Sequence, residues 1–108
     1  NLFEAGFLEE LDNGDKIWKL RISSDKAIGM KLYFNQFYLP SGTTLSIYSD
    51  DMVIGPFDLA NNHQDGEFSH QLIKGEMLTL EYYEPSSNNE LALINISTKY
   101  PCASIFTT

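Results

Sequence analysis

Few side chains in this sequence can perform acid–base or nucleophilic chemistry. The histidines are His63 and His70, and the one thiol belongs to Cys102. Ser69 directly precedes His70, and adjacent strand residues face opposite ways, so these two cannot readily pair as nucleophile and base. Neither a G-x-S-x-G nor an H-E-x-x-H motif is present, and Cys102 has no basic neighbour beyond Lys99 to activate its thiol. We therefore predict that this segment is not an enzyme, with no catalytic residues.

Oxygen ligands suited to Ca²⁺ are grouped in three turns or loops. Ca²⁺ takes six to eight hard oxygens. The grouped residues are Asp12, Asn13 and Asp15; Asp50 and Asp51; and Asn61, Asn62, Asp65 and Glu67. No EF-hand spacing is present, and Asp and Asn are also ordinary turn residues. A structural calcium ion and a plain turn role both stay open, and no cofactor or metal ligand is predicted.

Four tyrosines are candidates for a ligand platform. Tyr33, Tyr38, Tyr48 and Tyr83 lie opposite the apolar stripes of predicted strands or beside turns. Exposed aromatic rings of this kind can stack on sugar rings, whereas the same rings can also cover the second face of a sheet. Both interpretations remain open from the sequence.

The elements that must position these residues are strands. The clearest pattern runs from Ile28 to Tyr48, where two alternating segments are joined by Leu39–Gly42, which predicts a hairpin that carries the core. One apolar face is formed by Ile28, Met30, Leu32 and Phe34, and the next by Leu45 and Ile47.

Further strands are predicted on both sides of this hairpin. They cover Lys16–Ser24, Met52–Ile54, Glu67–Ile73, Met77–Tyr83 and Glu90–Thr98, with Lys74-Gly75 as a two-residue turn. Trp18 alternates with Leu20 and Ile22 and is interpreted as a core residue, and Glu90–Thr98, apolar on both faces, as a central strand. In Met77–Tyr83, the residues Leu78, Leu80 and Tyr82 share one face. Residues 1–11 fit either a short helix or an edge strand.

About eight short strands predict an all-β fold, a two-sheet antiparallel β-sandwich of jelly-roll or immunoglobulin-like type. The 108 residues suffice for one domain, which we place at residues 1–100, with 101–108 as a tail or linker toward a downstream domain. A net charge of −8 argues against nucleic acid or an anionic membrane as partner, and no apolar run approaches the about 20 residues of a membrane span. Asn1–Glu4 lacks signal-peptide features, so we interpret the chain as a processed segment or excised domain.

The order of several short motifs carries a resemblance. Ile17–Ser24 is followed by Leu32–Gly42, then by Ile54–Phe57, Gly66–Phe68, and Leu80–Pro85. This series resembles the β-rich domain that precedes the trypsin-like catalytic domain in bacterial lysyl endopeptidase-type secreted proteases. The resemblance covers roughly residues 16–100, whereas 101–106 does not match the cysteine-rich start expected of such a protease domain.

The resemblance implies a non-catalytic propeptide or accessory domain that binds, shields or helps to fold the catalytic domain of its own precursor. It also implies a secreted, periplasmic or cell-surface location. The alternative is a secreted carbohydrate-binding or adhesion module with the four tyrosines as platform and loop acids holding calcium.

Overall fold

The computed structural model describes residues 1–97 in full and the backbone of residues 103–107. It is a two-sheet antiparallel β-sandwich, as the sequence predicts. The helical segments are α1 (Leu2–Ala5) and a short 3₁₀ turn at Leu59–Asn61. The strands are β1 (Phe7–Glu10), β2 (Lys16–Ser23), β3 (Ala27–Tyr38), β4 (Thr44–Tyr48), β5 (Val53–Phe57), β6 (Phe68–Ser69), β7 (Ile73–Lys74), β8 (Met77–Glu84), β9 (Leu93–Ile96) and β10 (Ala103–Thr107).

The first sheet has the strand order β1-β2-β8-β4-β5. Its core-facing side chains come from the alternating positions predicted for β2, β4 and β8, and Leu45, Ile47, Leu78, Leu80 and Tyr82 are all fully buried. Residues 1–11 form both elements that the sequence allows, because the helix α1 ends before Gly6 and the edge strand β1 follows it.

The second sheet is organised around the long strand β3. β10 and β9 pair with successive parts of β3 along one side, and β7 and β6 pair with the same parts along the other. The predicted strand Glu67–Ile73 is thus two short strands with a gap between them.

β9 is shorter than predicted and, within the described residues, pairs only with β3; Leu91 and Leu93 are exposed. The prediction of a central strand over Glu90–Thr98 is therefore wrong for the described part.

The predicted hairpin from Ile28 to Tyr48 does not form. β3 belongs to the second sheet and β4 to the first, so Leu39–Gly42 carries the chain from one sheet to the other. Lys74-Gly75 makes a similar crossing from β7 to β8. Alternation identifies the buried face of a strand, but the buried faces of both sheets meet one core, so the same pattern fits a hairpin and a crossover.

Two irregularities in β3 alter its predicted faces. An extra residue in the pairing with β9 separates Phe34 from Gln36, so that Phe34 and Phe37 both point into the core. A second irregularity in the pairing with β10 leaves Ile28 exposed and buries Ala27. The prediction that Ile28 shares the buried face of Met30 is therefore wrong.

Residues 103–107 are not a free tail, because they form β10 against β3. Ile, Phe and Thr are residue types that favour strands, so the segment Ser104–Thr107 has suitable composition for this pairing. The predicted domain boundary at Tyr100-Pro101 and the thiol of Cys102 lie outside the described residues. The helices of the described part are far too short to cross a membrane.

Candidate functional site

The four candidate tyrosines do not share one surface. Tyr33 and Tyr38 belong to β3 in the second sheet, whereas Tyr48 and Tyr83 belong to β4 and β8 in the first. Tyr48 and Tyr83 point away from the core, since their strand neighbours Ile47 and Tyr82 are buried. The single tyrosine platform predicted as the alternative binding surface is therefore not formed.

Each tyrosine is instead tied to a charged neighbour. The Tyr48 hydroxyl donates to Glu81 Oε1 at 3.1 Å, the Tyr38 hydroxyl donates to Glu90 Oε1 at 3.4 Å, and the Tyr83 hydroxyl donates to Asp15 Oδ2. The ammonium of Lys31 lies 5.6 Å from the centroid of the Tyr33 ring. The pKa of Tyr48 is raised mainly by partial burial and, to a smaller extent, by the Glu81 carboxylate. These contacts hold the rings in structural roles on two separate sheets.

The loop acids and amides mostly bind the backbone around them. Asp15 Oδ1 accepts a hydrogen bond from the Ser86 N–H at 2.8 Å. The pKa of Asp15 is lowered mainly by the hydrogen bond from the Tyr83 hydroxyl and, to a smaller extent, by the one from this N–H. Asn62 binds both polar backbone atoms of Leu39, at 2.9 and 3.0 Å. Asp65 Oδ1 accepts from the Glu67 N–H at 2.9 Å. Within residues 1–97, no three His, Cys, Asp or Glu side chains come together as a metal site.

The two histidines are separated in role. His63 is exposed in the loop after the 3₁₀ turn, whereas His70 is buried between β6 and β7. His70 Nε2 accepts from the Leu32 N–H at 3.0 Å, and its Nδ1 donates to the Gln71 carbonyl at 2.5 Å. Burial is the main cause that lowers the pKa of His70, and Lys31 acts in the same direction. Both ring nitrogens are thus engaged with backbone groups.

A groove lined by aromatic, charged and amide side chains opens beside Trp18 and is here called the Trp18 groove. Lys16 and Trp18 line it from β2, Glu84 from the end of β8, and Phe3 from α1, while the loop 88–92 closes one side; its volume is about 440 Å³. Lys16 pairs across the strands with Glu84, and both lie on the same face of the sheet as Trp18. Sequence reasoning placed Trp18 in the core, and the structure packs it there half-buried while leaving part of it in the groove.

The other groove residues were missed by sequence reasoning. The available signal was the polar stretch Asn88-Asn89-Glu90, which we interpreted only as a loop and the start of a strand. Its proximity to Trp18 depends on the pairing of β2 with β8, which local patterns do not encode.

A second feature is the outward face of the first sheet. Phe7, Lys19, Glu81 and Ser46 lie in one row across four strands, and Arg21, Thr79, Tyr48 and Val53 lie in the next. Phe7 is 84% exposed. Lys19 Nζ lies 3.7 Å from Glu81 Oε1, whereas Arg21 has no ion pair among the described residues. We call these two rows the outer face.

No protein family, curated protein or solved structure was found that matches this chain. The resemblance to the domain that precedes lysyl endopeptidase-type catalytic domains therefore stays a prediction.

Proposed function

We propose that this chain is a non-catalytic propeptide or accessory domain of a secreted bacterial lysyl endopeptidase-like serine protease, and that it acts through its surface on the catalytic domain of the same precursor. The identity of the partner rests on the ordered motif series within residues 16–100. In the structure, Phe34 and Phe37 from this series are core residues, and Leu39–Gly42 forms a connection between the sheets. A series that serves packing and chain direction suits a scaffold whose function lies on its exposed faces.

The observation that carries the proposal is the exposure of Phe7 on the outer face. A phenylalanine ring that is 84% exposed on a strand leaves a large apolar area in water. Val53 on β5 and Met77 on β8 are also exposed on the outward side of this sheet. Phe7 and Val53 lie on the two opposite edge strands, β1 and β5, so the apolar contact offered to a partner is centred on Phe7.

The charges of the outer face define the kind of partner surface that fits it. The whole chain carries a net charge of −8, yet Lys19 and Arg21 both lie here. Glu81 partly neutralises Lys19. Arg21 makes no ion pair among the described residues, so it remains available to a carboxylate of the partner. A partner that offers an apolar patch beside an acidic side chain would be complementary, with the charges contributing mainly to specificity and association rate.

The proposal is tested by producing a lysyl endopeptidase-like catalytic domain with and without this chain. We expect the chain to bind the catalytic domain, to inhibit it, or to raise its folding yield. Phe7→Ser should weaken that effect at least tenfold, whereas Leu59→Ser, at an exposed apolar site in the 3₁₀ turn outside this face and outside the Trp18 groove, should leave it unchanged. No binding, no inhibition and no gain in yield with the unaltered chain would contradict the proposal.

A further inference from the structure

We infer that the Trp18 groove is a binding site for an uncharged saccharide of one or two rings. This inference is independent of the proposed accessory function, because the outer face and the Trp18 groove use different residues. A volume of about 440 Å³ lies within the roughly 300–1,000 Å³ of small-ligand sites.

The apolar part of the groove comes from two aromatic rings. Trp18 is half-buried, and Phe3 meets it at an interplanar angle of 89° with ring centroids 5.3 Å apart. Phe3 makes a second such edge contact with Tyr82, so both groove rings are fixed by packing. A sugar ring has an apolar C–H face and a rim of hydroxyls, which suits a fixed aromatic surface surrounded by polar groups.

One carboxylate of the groove is positioned by a buried tyrosine hydroxyl, and a second lies at a longer distance from an exposed one. The hydroxyl of the fully buried Tyr82 donates to Glu84 Oε1 at 3.1 Å, and that of Tyr38 donates to Glu90 Oε1 at 3.4 Å. An ionised carboxylate has about four acceptor positions, so each retains capacity for a ligand hydroxyl. Acceptors that are already oriented reduce the entropy lost on binding.

Donors are supplied by Lys16 and Asn89. Neither side chain makes a hydrogen bond or ion pair with another residue in the described part of the chain, and both line the groove. A sugar hydroxyl both donates and accepts, so it can pair with these donors and with the carboxylates at once.

The charges of the groove disfavour an anionic ligand. Glu84 and Glu90 would repel it, and Lys16 offsets only one of these two carboxylates. A cationic ammonium group avoids this repulsion but can only donate hydrogen bonds, so it leaves the donors Lys16 and Asn89 without an acceptor, whereas a neutral polyhydroxyl ligand can pair with the donors and the carboxylates.

The test uses the fact that Trp18 is the one tryptophan of the chain, so its fluorescence reports directly on the groove. The 108-residue chain is titrated with cellobiose, maltose, lactose and N,N′-diacetylchitobiose, and with tetralysine as the cationic competitor. We expect a saturable change in emission with at least one disaccharide, and a weaker one or none with tetralysine.

Two groove variants and one matched control complete the experiment. Asn89→Ala and Glu90→Gln alter exposed side chains, so the fold should persist, and each should weaken saccharide binding at least fivefold. Glu67→Gln, an exposed carboxylate outside the groove, should bind as the unaltered chain does. The inference is overturned if no disaccharide gives a saturable response, if tetralysine alone does, or if both groove variants bind unchanged.

Discussion

The Nε2 atom of His70 accepts a hydrogen bond from the backbone N–H of Leu32 at 3.0 Å, within the gap between β6 and β7. β6 pairs with β3 at Tyr33 and Phe34, and β7 pairs with it at Gly29 and Met30, so no strand residue stands opposite Leu32 on that side. The imidazole ring therefore replaces a missing strand partner. This role requires neutral His70 with its proton on Nδ1, because a protonated ring would present two donors.

Stability should fall in mild acid because of His70. Its pKa in the folded chain lies below the value of about 6.5 expected when unfolded, so the unfolded state takes up a proton first. The stabilisation that neutral His70 contributes to the folded chain is complete above about pH 6.5, and it is lost as the pH falls from there through the lowered pKa of His70. Urea unfolding between pH 7.5 and 5 should show this decline, and His70→Gln should remove it. His63→Gln, at an exposed site, serves as the control; an unchanged decline in His70→Gln would contradict the assignment.

Asn62 should stabilise the connection between the sheets. It accepts from the Leu39 N–H and donates to the Leu39 carbonyl, at 2.9 and 3.0 Å, where β3 leads toward the crossover. Asn62→Ala leaves both groups of the buried Leu39 without these partners and should lower the free energy of unfolding by about 2 kcal/mol. Asn89→Ala, which removes an exposed amide, should change it by less than about 0.5 kcal/mol. Equal effects in chemical denaturation would show that the Asn62 contact is not stabilising.

Tyr83 should control the ionisation of Asp15. The Tyr83 hydroxyl is the largest cause of the lowered pKa of Asp15, followed by the Ser86 N–H. Tyr83→Phe should therefore raise the pKa of Asp15 toward the usual aspartate range, measured by NMR titration of the side-chain carboxyl carbon. Tyr48→Phe, which removes a hydroxyl bound to Glu81 instead, should leave Asp15 unchanged.

The same contact predicts a change in acid stability. A lowered folded pKa stabilises the chain above the unfolded value of about 3.9, and this stability is lost as the pH falls through the folded pKa. Tyr83→Phe should bring the acid-unfolding midpoint to higher pH. A midpoint equal to that of the unaltered chain would contradict a role for this contact in acid stability.

Gly55 should tolerate substitution far less than Gly66. Both have positive φ, +92° and +73°, so alanine at either position should cost about 1 kcal/mol or more for the left-handed conformation. At Gly55 an added Cβ would also lie 2.9 Å from the Leu45 carbonyl oxygen and from the Phe57 nitrogen, whereas at Gly66 it would meet nothing within 4 Å. Thermal unfolding should show a clearly larger loss for Gly55→Ala, and equal losses would mean that the backbone around Gly55 yields.

The sequence by itself determined the fold class and the buried faces of β2, β4 and β8. Alternation is a local property, because a strand places successive side chains on opposite faces whatever its partner is. Leu45, Ile47, Leu78, Leu80 and Tyr82 were identified correctly for this reason. The same information predicted Trp18 as a core residue.

Only the tertiary structure decided which strands pair and which side chains meet. Leu39–Gly42 reads as a hairpin turn but crosses between the sheets, and the irregularities in β3 bury Phe37 and expose Ile28. The four tyrosines, similar in sequence context, are divided between two sheets. The Trp18 groove depends on contacts between residues about 70 positions apart, and such long-range pairing follows from how both sheets fill one core, which no local pattern records.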